Sequence, residues 1–202
     1  MPNDMKDLVV GEDGRARCAW ASGDAAYLAY HDDEWGRPLR HERRLYELMC
    51  LEAFQSGLSW ALILRKREGF RAAFDGFDPE KVAAYGDPDV ARLLGDERIV
   101  RNRAKVEATV ANARAVGALH DAGETLVDVL WAHAPDRPAD APRFTTLAEV
   151  PSTSPESKAM AKDLRARGFR FVGPVVAYAF MQAAGLVDDH LEGCWVAGAG
   201  DE

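Results

Sequence analysis

Two sets of side chains in this 202-residue chain have the types and spacing for chemistry. The first is Cys18 and His31 near the N-terminus with His190 and Cys194 near the C-terminus. Two thiolates and two imidazoles complete a closed tetrahedral zinc set, the pattern of a structural site that leaves no position open for water. His190 and Cys194 stand at i and i+4, so one helical turn points both the same way. The competing reading is four unrelated side chains, because cysteine is often only a small buried apolar residue. Spacing alone leaves both open. Cys50 has no ligand partner near it in sequence and reads as core. His41, His120 and His133 sit near helix ends or polar flanks and read as surface or capping groups.

The second set centres on Glu52. It follows Leu45, Leu48 and Met49 at i+7, i+4 and i+3, which places it on the apolar face of its helix. A buried carboxylate is costly unless it is paired or functional. A glutamate tied to nearby backbone amides and an acid at the base of a pocket both fit. Trp20, Tyr27, Tyr30, Trp35 and Trp60 crowd the neighbouring sequence, and an acid among aromatic faces suits a flat cation. A third feature is Arg167-Gly168-Phe169-Arg170-Phe171-Val172-Gly173-Pro174. Gly168 stops one helix and Pro174 opens the next, leaving free amides at a helix N-terminus where an anion can bind. An ordinary αα-hairpin has the same glycines.

The elements that position these groups are helical. Asp78-Pro79, Asp87-Pro88 and Ser154-Pro155 pair an N-cap with a proline at the first helical position, and Gly168 and Gly185 fall where C-caps belong. Helices are predicted over about 24–34, 40–56, 58–74, 79–85, 88–94, 97–119, 124–133, 155–167 and 174–184. Sustained alternation is missing, so strands are expected to be few or absent. Residues 135–143 are a proline-rich loop, and no repeat or low-complexity segment occurs. The length allows one domain or two small helical lobes.

A net charge of −8 argues against a polyanion binder held by bulk charge, but not against a local basic footprint. Basic clusters occur at Arg40/Arg43/Arg44, Arg65/Lys66/Arg67, Arg98/Arg101/Arg103/Lys105 and Lys158/Lys162/Arg165/Arg167/Arg170; most read as solvated helix faces. Three cysteines do not make a disulfide framework, and no apolar run reaches membrane-spanning length. The start is polar and unlike a secretory signal, so a cytoplasmic protein is expected.

Taken in order, Cys18-Ala19-Trp20, Tyr30-His31-Asp32-Asp33-Glu34-Trp35-Gly36, Cys50 to Trp60, Arg67-Glu68, Ile99 to Lys105, Arg167 to Gly173, Asp189-His190 and Gly193-Cys194 resemble the 3-methyladenine DNA glycosylase I family over roughly residues 17–195. The resemblance implies an all-α helix-hairpin-helix glycosylase fold whose N- and C-terminal segments are joined by one structural zinc on Cys18, His31, His190 and Cys194. It implies a glycosylase domain over 17–195, with 1–16 as a flexible extension and 196–202 as a flexible tail. Glu52 is then the catalytic carboxylate of a base pocket lined by Tyr30 and Trp60, with Trp20 and Tyr27 as neighbours. The hairpin backbone at Gly168, Phe169, Arg170, Val172 and Gly173 is expected to contact DNA. Asp189 is expected to orient the adjacent zinc region rather than to take part in the reaction. No lysine opens the helix after the hairpin, so Schiff-base lyase chemistry is not expected. The partners implied are double-stranded alkylated DNA and free 3-methyladenine as product, handled by a monomer without a membrane.

Overall fold

The computed structural model describes residues 7–136 and 141–198. Nine α-helices dominate the described residues: α1 Ala25–Asp33, α2 Glu42–Gln55, α3 Trp60–Ala73, α4 Pro79–Ala83, α5 Asp87–Gly95, α6 Arg103–Asp121, α7 Leu126–Trp131, α8 Pro155–Ala166 and α9 Pro174–Ala183. Most begin where a short polar side chain can accept an amide that the first turn leaves free. Asp24, Ser59, Asp78, Asn102, Thr125 and Ser154 each do so. His41 caps α2 in the same way, as its place at a helix end suggested.

Helix α2 is the centre of the fold. Leu45 through Phe54 are all buried, and α2 packs against α3, α6, α7 and α9. A helix buried on every side needs its polar groups answered internally. Glu47 accepts from Arg67 and Arg71, and Arg67 also reaches Glu34 at 2.8 Å. The C-terminal end of α2 is answered by a buried lysine: Lys105 Nζ donates to Phe54 O at 2.8 Å and to Ser56 O at 2.6 Å. Two residues of the sequence's basic clusters, Arg67 and Lys105, are therefore committed to internal bonds. Lys105→Met is expected to cost about 1–3 kcal/mol, because it leaves both carbonyls without their donor. A thermal melt unchanged from the parent would contradict this.

Helix α6 starts later than the pattern suggested. Residues 97–102 form a turn, and Asn102 caps the helix at Lys105 N. The sequence pattern also missed a β-hairpin: β1 Leu8–Val10 pairs antiparallel with β2 Ala16–Cys18. Its strands are three residues long, too short for alternation to register, but Asp13-Gly14 between them is a turn signal, and Gly14 has φ 76°. Ordered strand thus begins at residue 8, inside the stretch expected to be a flexible extension. In the expected tail, Val196 is buried and Gly198 N donates to Asp188. Residues 1–6 and 199–202, and 137–140 of the proline-rich loop, lie outside the described residues.

One glycine pins the end of α9. Gly185 has φ 69°, and a Cβ there would lie 2.2 Å from the carbonyl carbon of Arg37. The absence of a side chain lets the chain after α9 pass against the loop after α1, where Leu39 N donates to Ala184 O.

Candidate active site and metal centre

The four predicted metal ligands meet although Cys18 and His190 are 172 residues apart in sequence. All are buried, with ligand atoms within 4.8 Å of one another. Cys194 Sγ lies 3.5 Å from His31 Nε2 and 3.6 Å from His190 Nδ1, and Cys18 Sγ lies 3.9 Å from His190 Nδ1. A tetrahedral zinc with ordinary bonds sets sulfur and nitrogen about 3.5–3.6 Å apart, so the donor set fits the ion. The outer nitrogens support the fit. His31 Nδ1 is 2.8 Å from Asp32 Oδ1, and His190 Nε2 is 3.1 Å from Trp35 O. Each imidazole can place its proton on the outward nitrogen and turn a lone pair inward. Contact with Cys18, and then with His190 and His31, pulls the Cys194 thiol down, while the same contact pushes Cys18 up. A dication would stabilise both as thiolates.

The carboxylate on a ligand histidine is thus Asp32, which Arg17 grips at 2.8 Å. Asp189 lies elsewhere. It accepts from Tyr178 Oη at 2.6 Å and Gln182 Nε2 at 3.0 Å, and it lines the cleft that holds Glu52. Among the described bonds it is Asp32, not Asp189, that meets a ligand imidazole. Gly36, with φ 74°, lets the loop after α1 rest on the His190 ring, which a Cβ would approach to 3.0 Å.

The cleft encloses about 370 Å³ and gathers Glu52, Tyr30, Trp60, Trp20 and Tyr27, all five of the predicted pocket residues. Glu52 is 5% exposed. No salt bridge or hydrogen bond to it occurs among the described residues, and burial pushes its carboxyl up to about 8. Tyr30 and Trp60 meet with ring centroids 5.3 Å apart. Trp60 Nε1 is buried with no acceptor, an orphan donor at the wall of the cleft. Sequence reasoning missed Gln55, Gln182, Asp189 and the segment Leu147, Val150, Pro151 and Ser152, which also line it. That segment follows the proline-rich loop and carries no local signal of a pocket. Ala179 and Gln182, one turn apart on α9, were legible only as helix.

Metal centre and cleft share a wall. Trp20 packs edge-on against His31 at 5.1 Å and against Trp35 at 4.9 Å, and Trp35 meets His190 at 4.6 Å. Leu147 and Val150 pack on the small core formed by Cys18, Leu191, Cys194 and Val196.

The hairpin between α8 and α9 divides the predicted backbone contacts. Gly168 N donates to Arg165 O, Phe169 N to Leu164 O and Arg170 N to Asn112 Oδ1, so these three amides are used inside the protein. Val172 and Gly173, with Val175 and Val176 in the first turn of α9, have amides without a protein acceptor among the described hydrogen bonds. The side chains of Phe169 and Val172 are buried, whereas Arg170 is exposed. Gly168 is left-handed at φ 91°, but the second left-handed position is Phe171, at φ 56°. A non-glycine residue there costs about 1 kcal/mol or more.

An all-α scaffold with a glycine-stopped hairpin beside an acid-floored aromatic cleft is the helix-hairpin-helix glycosylase architecture. The sequence profile of the methyladenine glycosylase family matches residues 20–197. The chain is 48% identical over 178 residues to DNA-3-methyladenine glycosylase 1 of Escherichia coli (strain K12), covering 88% of this chain and 95% of the relative. A crystal structure of 3-methyladenine DNA glycosylase I superposes with a TM-score of 0.83 at 46% identity, over 89% of this chain and 98% of the other. The Staphylococcus aureus enzyme, solved to define 3-methyladenine recognition, gives 0.84 at 36% identity over 90% and 96%. The chain belongs to the methyladenine glycosylase family.

Proposed function

We propose that this protein is a monofunctional DNA glycosylase that flips N3-methyladenine out of alkylated DNA, cleaves its N-glycosidic bond and leaves an abasic site. The observation that carries this reading is Glu52, a buried acid without a protein partner in an aromatic cleft. Methylation at N3 gives the base a positive charge. Glu52 pairs with that cation and accepts from the adenine edge, while Tyr30 and Trp60 hold the ring, each contributing about 0.5–2 kcal/mol. Trp20 and Tyr27 extend the wall. A neutral adenine lacks the charge and gains less, so selectivity is a difference of affinities.

The chemical step needs little acid catalysis. The bond between C1′ and N9 breaks with its electron pair going to the base, which departs as neutral 3-methyladenine. Water adds to C1′ and releases a proton to solvent. Extrusion costs a few kcal/mol and is least for a damaged base. The free amides of Val172, Gly173, Val175 and Val176 bind a backbone phosphate at the start of α9, and Arg170 adds charge. Gly168 and Phe169 shape the hairpin, since their own amides are used internally.

Zinc on Cys18, His31, His190 and Cys194 is structural and closes the chain's two ends. The protein acts as a monomer in the cytoplasm on double-stranded DNA. No described helix is long and apolar enough to cross a membrane.

No lysine is among the described residues that line the cleft. Incubation with methylated duplex is therefore expected to release free 3-methyladenine with no borohydride-trapped covalent complex. Strand cleavage through a trapped Schiff base would refute the monofunctional reading, and no base release would refute the activity.

A further inference from the structure

Helix α6 has a buried polar stripe at Lys105, Thr109 and Asn112, spaced i, i+4, i+7 on one face. Lys105 and Thr109 meet α2, and Asn112 meets the hairpin. Lys105 holds the C-terminal end of α2 through Phe54 O and Ser56 O. Thr109 O accepts from Tyr46 Oη of α2 at 2.8 Å. Asn112 is 1% exposed, and its amide pairs with both backbone groups of Arg170: Oδ1 accepts from Arg170 N at 2.7 Å, and Nδ2 donates to Arg170 O at 3.2 Å.

We infer that Asn112 is a positioning residue for DNA, fixing the hairpin tip against the same helix that fixes the pocket helix α2. The argument rests on the glycosylase reading above. By binding both sides of one residue's backbone, Asn112 sets the orientation of the Arg170 peptide planes. That directs the next residue, Phe171, into its left-handed conformation and leaves the amides of Val172 and Gly173 without a protein acceptor among the described hydrogen bonds. It also fixes where the exposed Arg170 side chain begins. Asn112 does not line the cleft, so its effect on the base passes only through DNA. Along one helix, seven residues span about 10 Å. The stripe thereby holds the phosphate grip and the base pocket at a set separation, which a flipped nucleotide needs while its backbone stays anchored.

Asn112→Ala tests this with the full chain and two probes. One is a duplex carrying a stable abasic analogue, titrated by fluorescence anisotropy at several salt concentrations. The other is free 3-methyladenine. The expected result is duplex affinity about tenfold weaker and a salt dependence smaller by about one phosphate contact, because Arg170 no longer reaches its place. Free-base affinity should stay within twofold of the parent. If the alanine variant does not fold, Asn112→Asp keeps the shape and the acceptor for Arg170 N but sets a carboxylate oxygen against Arg170 O. The same selective loss is expected of it. Unchanged duplex affinity overturns the inference, and so does an equal loss for both probes, which marks a general packing role. A parent protein that releases no base from methylated duplex instead overturns the glycosylase reading.

Discussion

Glu52→Gln is expected to slow single-turnover excision of N3-methyladenine by roughly thirty- to hundredfold, with the fold intact. The substitution keeps the shape of the side chain and removes its charge. A hydrogen bond to a charged group in a site of low dielectric contributes about 2–3 kcal/mol more than the neutral bond that replaces it. The cationic base would lose that stabilisation, while stacking on Tyr30 and Trp60 would remain. Burial holds the Glu52 carboxyl near 8, so in the empty cleft at neutral pH much of it is the neutral acid. The value of kcat/KM reports the free enzyme. It should therefore rise with pH and level off above about 8, and the glutamine variant should lose that limb. Stability runs the other way. The folded chain keeps a proton that the unfolded chain releases near the ordinary value of 4.5, so Glu52 lowers stability as pH rises from about 4.5 to about 8. The variant should accordingly melt higher than the parent at pH 8, with a smaller difference at pH 5. Equal excision rates in parent and variant would remove Glu52 from the mechanism.

Cys194→Ala should lose the metal and lower the melting temperature by about 10 °C or more. The four candidate ligands come from β2, α1 and the segment after α9, so one ion bound there would close a loop comprising most of the chain. Without the ion, Cys18, His31 and His190 stay buried with their donor atoms facing one another. Several kcal/mol of metal binding energy is folding energy here, and a chain of this size shifts about 2–4 °C per kcal/mol. Because Trp20 and Trp35 pack on His31 and His190, free-base affinity should also fall. At 25 °C that loss should be smaller than the loss from Glu52→Gln, since Glu52 and Trp60 stand on α2 and α3, away from the ligands. Zinc released by a thiol reagent, followed colorimetrically, and a thermal melt check both parts. A parent protein stripped of metal that melts unchanged would end the structural role.

The chain by itself determined the helices, the apolar face that carries Glu52 and the set of metal donors. Caps, proline positions and helical periodicity act within a few residues, so they are written locally: Asp78-Pro79, Ser154-Pro155 and Gly168 each mark an end that the fold keeps. The ordered match from Cys18 to Cys194 supplied what spacing left open, that the two half-sites belong together. Tertiary structure decided the rest. Asp32 and Asp189 are both buried or nearly so beside histidines in sequence, yet only Asp32 meets a ligand ring among the described bonds, because the chain after α9 carries Asp189 toward Tyr178 and Gln182. Leu147 to Ser152 close the cleft about 100 residues after Glu52, and Asn112 meets Arg170 58 residues later. Such pairings carry no local signature. They exist only once packing around α2 has brought distant segments together, and that packing also buries Glu52 and raises its carboxyl.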